Sequence, residues 1–216
     1  MNNEIFITGG TGYIGKRLIP ELIKRDFKVH ALSRRESIGK LPSGSKPVTG
    51  NALDGSTFTD KISPCKTFIQ LVGVPHPSPS KKDLFKKIDL VSVHESVWAA
   101  KNSGVEHFIY VSVAQGTSLM KEYRQIRMHG EELIRQSGMN ATIIRPWYVI
   151  GPGHYWPLLF LPAYKILELI PLTGEKAKLF GLVTLKQMIA ALVMAVKQPP
   201  TGMRIVSVPG IKNLQF

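Results

Sequence analysis

The sequence predicts an α/β fold, a doubly wound parallel sheet, and three observations carry that expectation. Short apolar runs at residues 5–8, 29–33, 67–72, 107–113 and 141–145 alternate with longer helical patterns at 13–25, 82–103 and 122–137. Strand then helix, repeated, requires right-handed crossovers and so a parallel sheet. Gly104 and Gly138 stand just past two of the helical patterns, where helices end in a left-handed residue. The third observation is a glycine-rich turn, Thr8-Gly9-Gly10-Thr11-Gly12-Tyr13-Ile14-Gly15, between the first strand and the first helix.

Each element follows from its local chemistry. The first strand (4–8) runs into that turn, in which Gly9 makes the tight bend, Gly12 admits a pyrophosphate close to the backbone and Gly15 lets the helix pack on the sheet. A pyrophosphate would rest on the free N–H groups of the first helical turn, so the motif is a dinucleotide fingerprint in the order its mechanism needs. A short strand at 46–49 and a weak helix at 56–61 complete the first half, and Val74-Pro75-His76-Pro77-Ser78-Pro79-Ser80 is a stiff exposed loop. From Pro146 the texture changes. Gly151-Pro152-Gly153 breaks the chain, an amphipathic segment follows, and a helix (185–197) and a last strand (204–208) end it. Residues 1–146 are thus expected to form the dinucleotide-binding core, and 147–216 a short substrate or cap region completing the same domain over the carboxyl ends of the strands.

Composition narrows the function classes. The chain has 216 residues, 44% hydrophobic and 20% charged, enough for one substantial core. One cysteine, Cys65, excludes an internal disulfide and suits a reducing compartment. Asn2, Asn3 and Glu4 lead straight into a strand without the basic and apolar regions of a signal peptide, so a cytoplasmic location is expected. Lys and Arg number 28 against 15 Asp and Glu, a formal charge of +13 that calls for an anionic partner. The basic residues are spread, with no helix-turn-helix, zinc or stacking pattern beside them, so an anionic cofactor is favoured over nucleic acid. The apolar stretch 157–172 is interrupted by Pro162, Lys165, Glu168 and Pro171, too soon to span a bilayer. It is expected to serve, with Tyr155, as a substrate lid or as a docking surface for a protein or a membrane face. No histidine pairs with Cys, Asp or Glu at a metal-like spacing in the sequence, so no metal is expected.

With its TGxxGxxG loop and strand order, the chain resembles the extended or atypical branch of the short-chain dehydrogenase/reductase superfamily, close to nucleoside-diphosphate-sugar epimerases shortened at the C-terminal domain. The resemblance implies a Rossmann sheet of order 3-2-1-4-5-6 with a small C-terminal cap, and a cofactor lying across the switch point. It assigns cofactor contacts to Thr8, Gly9, Gly10, Thr11, Gly12, Tyr13, Ile14 and Gly15. Ser33, Arg34 and Arg35 end the second strand where NAD-binding members often carry an acid, and an arginine there suits a 2′-phosphate, so NADP(H) is expected ahead of NAD(H). Asn51 and Ala52 stand where the family contacts adenine, Leu71, Val72 and Gly73 where the chain passes beneath the ribose, and Pro146, Trp147, Tyr148 and Val149 where it follows the nicotinamide.

Tyr123 and Arg127 lie four apart on one helix, at the family's catalytic Tyr-x-x-x-Lys, with arginine in place of lysine. Arg127 can support a phenolate but is not a compact ammonium, and Glu131, one turn on, is positioned to pair with it. Val113 occupies the usual serine position, with Ser112 one residue earlier and facing the other way unless a bulge intervenes. Tyr148 and Tyr155 are reserve proton donors. The resemblance implies an NADP(H)-dependent oxidoreductase acting on a small carbonyl, quinone or nucleotide-sugar-like molecule; the rival reading is a non-catalytic NAD(P)H-binding sensor or assembly protein.

Overall fold

The protein is described from a computed structural model covering residues 3–75, 77–116, 120–155 and 181–214. Seven parallel strands form one sheet, β1 (Glu4–Thr8), β2 (Lys28–Ser33), β3 (Lys46–Thr49), β4 (Thr67–Gln70), β5 (His107–Val111), β6 (Asn140–Arg145) and β9 (Met203–Ser207), in the order β3-β2-β1-β4-β5-β6-β9. Two short strands, β7 (Tyr148–Ile150) and β8 (Leu182–Thr184), pair in parallel as a separate ribbon. The order reverses at β1, which bonds to β2 on one side and β4 on the other. That reversal opens a crevice at the carboxyl ends of the strands.

Side chains alternate across the central strands, and both faces are buried, as a parallel sheet requires. Ile5 and Ile7 face a core shared with Leu18, Ile19 and Leu22 of α1 (Gly15–Ile23) and with α5 (Leu185–Lys197). Phe6 faces the opposite core, where Phe6, Phe68 and Phe108 stack with ring centroids 5.2 and 5.1 Å apart beneath α3 (Val91–Asn102) and α4 (Lys121–Ser137). In α1 the buried positions Gly15, Leu18, Ile19 and Leu22 recur at the spacing of one helix face. Gly138 closes α4 at φ +75, its N–H on the Arg135 carbonyl, and Gly104 has φ +70 after α3, as their positions in the sequence predict.

Several boundaries differ from the sequence expectation. The first helix begins at Gly15 rather than 13, because Gly12 to Ile14 form the turn that meets it. The pattern over 82–103 is interrupted: α2 (Lys82–Leu84) passes through a π-helical turn (Phe85–Leu90) before α3. The weak helix at 56–61 is two 3-10 turns, Gly55–Thr57 and Thr59–Lys61. Val74, expected in an exposed loop, is buried. The C-terminal segment also does more than cap. β9 adds a seventh strand beside β6, and α5, capped by Thr184 and Gln187 and buried along most of its length, packs against α1 and the sheet. A helix apolar nearly all round belongs inside a layer. A final turn, α6 (Val208–Lys212), packs on α5.

Candidate dinucleotide-binding site

The fingerprint turn is shaped by backbone contact. Gly9 has φ +77, and a Cβ there would stand 2.8 Å from the Leu71 carbonyl carbon; a Cβ on Gly15 would stand 2.4 Å from the Gly9 oxygen. Both positions therefore admit only glycine. The Gly12 N–H donates to the Gly9 carbonyl at 3.0 Å, which closes the turn. Thr8, Gly10 and Gly15 are buried, so they build the turn, while Thr11 and Gly12 line its outer side. Ile14 is the N-cap of α1, its carbonyl accepting from Leu18 N–H. The Tyr13 ring packs on His154, with centroids 4.2 Å apart, and the Arg17 guanidinium carbon is 4.4 Å from its centre. Burial raises the pKa of the Tyr13 phenol, and Arg17 opposes the rise. The side chain thus ties the fingerprint to the loop after β7.

A groove of about 360 Å³ opens at the carboxyl ends of β1, β2, β3 and β4. It is lined by Gly9, Thr11, Gly12, Ser33, Arg34, Asn51, Ala52, Leu71, Val72 and Gly73, all singled out from the sequence. Leu32, Gly50 and Leu53, from the same two segments, complete the lining with Ser37 and Ile88, whose spacing carries no signal in the sequence. Arg34 is exposed at the mouth, its Nε 3.2 Å from Glu36 Oε1, and Arg35 opens an exposed 3-10 turn, Arg35–Lys40. Asn51 lines the groove, and its Oδ1 accepts from Leu53 N–H at 3.1 Å.

Residues expected to perform proton transfer lie beyond Gly73 and are heavily bonded. Arg127 is buried and donates from Nη2 to Asp89 Oδ1 at 2.5 Å and from Nη1 to the Val111 carbonyl at 2.9 Å. The expected partner Glu131 is not the one it uses. Asp89, in the π-helical turn, also accepts from Val74 N–H at 3.0 Å, and one residue earlier Ile88 lines the groove. Burial pushes the Asp89 pKa up, and the Arg127 cation opposes that rise; the guanidinium stays charged. A Cβ on Gly73 would stand 2.2 Å from Arg127 Nη2, so the guanidinium presses against the segment expected beneath the ribose.

Tyr123, half-buried, packs on Phe85 with centroids 5.0 Å apart, and the Arg127 guanidinium carbon is 5.1 Å from its ring centre. Below it Tyr110 is fully buried, its phenol pushed up to about 12 by desolvation. Glu131 instead bonds Arg145 through both carboxylate oxygens and accepts from Ser112 Oγ at 2.5 Å. Ser112 thus faces α4. Pro146 is fixed by Ala114 N–H at 2.9 Å, Trp147 packs on the α1 side of the core, and Tyr148 and Val149 enter β7. Tyr155 lines a different cavity, about 810 Å³, between α1, the β7–β8 ribbon and α5. The rest of the expected lid, 156–172, lies outside the described residues. Among the described residues no helix is long and apolar enough to cross a membrane.

Comparison with known proteins agrees with this geometry. A family described as NAD(P)H-binding matches residues 9–151. The sterol-4-alpha-carboxylate 3-dehydrogenase (decarboxylating) of Dictyostelium discoideum is 34% identical over 114 residues, which are 50% of this chain and 35% of that protein. The ceramide reductase of Caulobacter vibrioides is 20% identical over 201 residues, 92% of this chain and 62% of that one. The chain therefore spans less than two thirds of these relatives. Among solved structures, a UDP-glucose 4-epimerase superposes with TM-score 0.71 at 15% identity, covering 97% of this chain and 80% of the other. The Bordetella bronchiseptica enzyme WbmH in complex with NAD+ superposes with TM-score 0.69 at 22% identity, covering 94% and 75%. At these identities the likeness is one of fold. The crevice at the strand reversal, the glycine turn that only glycine permits and the family match agree: this chain belongs to the NAD(P)H-binding family and has the Rossmann fold of the epimerase-type short-chain dehydrogenases/reductases.

Proposed function

We propose that the protein is an NADP(H)-dependent oxidoreductase acting on a small carbonyl, quinone or nucleotide-sugar-like substrate. The observation that carries the reading is the groove, whose lining brings the glycine turn, Ser33 and Arg34, Asn51 and Gly73 into one continuous surface. A dinucleotide bound there supplies a hydride from its nicotinamide. Thr11 and Gly12 would receive the pyrophosphate, Arg34 a 2′-phosphate, and Asn51 the adenine. Arg34 is the only cation lining the groove among the described residues, which favours NADP(H) over NAD(H). Beyond Gly73, Tyr123 is the proton donor in this reading. Arg127, fixed by Asp89 and the Val111 carbonyl, holds a positive charge against its ring without itself giving up a proton.

One observation favours the second reading, cofactor binding without turnover: Ser112, the remaining hydroxyl candidate, is committed to Glu131. Turnover separates the two. The protein loaded with NADPH is presented with aldehydes, quinones and nucleotide sugars while nicotinamide absorbance is followed. Oxidation that falls at least tenfold in Tyr123→Phe, with NADPH affinity unchanged, supports the reductase. Oxidation unaffected by that change removes Tyr123 from the mechanism, and tight binding with no oxidation by any member of the panel favours the sensor reading.

A further inference from the structure

At the end of the sheet opposite the groove, three residues far apart in the sequence converge. Glu4 opens β1, His30 lies in β2, and Cys65 sits in the turn before β4. The parallel ladders set their backbones: Glu4 is opposite Lys28, Phe6 opposite His30, and Ile5 opposite Thr67. Alternation puts Glu4 on the same face as Phe6, and His30 on the same face as Leu32; Phe6, Leu32 and Cys65 belong to one core cluster. The three side chains therefore share a face. One ligand atom from each lies within 4.8 Å of the others, and Glu4 Oε2 is 2.8 Å from His30 Nε2.

We propose that Glu4, His30 and Cys65 form a zinc-binding site, separate from the dinucleotide groove. A thiolate, an imidazole and a carboxylate are ligands that zinc favours together. Zinc bonds of 2.0 to 2.3 Å set tetrahedral donors roughly 3.3 to 3.7 Å apart, a spacing reached by small side-chain rotations from the present arrangement. The charges also close: one thiolate and one carboxylate neutralise a divalent cation. As the sulfur–zinc bond forms, the Cys65 proton passes to solvent. Cys65 and His30 are buried, whereas Glu4 is partly exposed and gives the ion its entry, with a solvent water as fourth ligand. The neighbouring Lys28 Nζ is 3.6 Å from Glu4 Oε1 on a side chain 76% exposed, free to leave the carboxylate to the metal.

Because the chain has a single cysteine, cobalt reports on this site without ambiguity. The untagged 216-residue chain, reduced and freed of metal, is titrated with Co²⁺. The expected result is one equivalent bound, with near-ultraviolet sulfur-to-cobalt charge-transfer absorption and the visible bands of a tetrahedral ion, all displaced by one equivalent of Zn²⁺. Cys65→Ala should abolish the charge-transfer band and His30→Gln should weaken binding at least tenfold, both keeping NADPH affinity as a check of folding. The proposal is overturned if stoichiometric Co²⁺ gives no charge-transfer band, or if Zn²⁺ affinity is the same in Cys65→Ala. The wild-type spectrum decides the matter even if a variant fails to fold.

Discussion

The Asp89–Arg127 pair is the most consequential contact beside the groove, and removing one member exposes its weight. In Asp89→Asn the introduced amide keeps a single acceptor oxygen where the carboxylate serves two donors, Arg127 Nη2 and Val74 N–H. One of those donors is left unpaired, at about 1–3 kcal/mol. The Arg127 cation, only 6% exposed, also loses its counter-charge. Breaking a buried pair in this way costs about 3–5 kcal/mol in all, a large share of the roughly 5–15 kcal/mol that holds a domain folded. Urea denaturation followed by circular dichroism measures the loss as a lowered midpoint. The double change Asp89→Leu with Arg127→Met replaces the pair by apolar groups, and replacement costs far less than breakage. The double variant should therefore be at least about 2 kcal/mol more stable than Asp89→Asn. A loss below about 1 kcal/mol in Asp89→Asn, or a double variant no more stable than the single, would refute the account of a buried, mutually dependent pair.

Four other outcomes are expected. Gly73→Ala should drive its methyl into the pinned Arg127 guanidinium, costing about 1–3 kcal/mol by thermal denaturation and weakening NADPH in a fluorescence titration. Gly15→Ala should do at least as much damage, since the clash is with the Gly9 and Gly10 backbone, and loss of NADPH binding with an unchanged melting temperature would contradict that cause. Arg34→Glu should weaken NADPH by about ten- to a hundredfold, the worth of a charge-assisted phosphate contact, and NADH much less; equal weakening removes the 2′-phosphate assignment. His107, buried on Thr142 and near Arg204, is held down at about 4 from 6.5, chiefly by desolvation. The unfolded chain therefore binds more protons between those pH values, so stability is complete above pH 6.5 and is lost as pH falls toward 4. The window is worth about 3 kcal/mol, and His107→Gln should flatten it in urea melts collected across that range.

The fold and the groove were legible because their signals are local. Gly9, Gly12 and Gly15 each answer to a backbone requirement within a few residues, and the β1 to β4 loops that line the groove follow directly from strand positions. The partner of Arg127 was harder to read. Helical spacing brings Glu131 within reach of Arg127, but Arg145 and Ser112 claim Glu131 from β6 and the end of β5, and Asp89 arrives from another helix. A cue was present: Asp89 is a lone acid on a buried stripe with Phe85, Ser92, Val93 and Ser96, where an unpaired carboxylate cannot stay. The Glu4, His30 and Cys65 cluster lay hidden for the same reason, since it depends on strand pairing rather than on spacing.

Fluorescence titration of the purified protein with NADPH and NADH tests the groove directly as an NADP(H) site. The expected result is one NADPH bound per chain, at least tenfold tighter than NADH, with the preference lost in Arg34→Glu. Absence of NADPH binding, or equal affinity for the two dinucleotides in the wild-type protein, would contradict it.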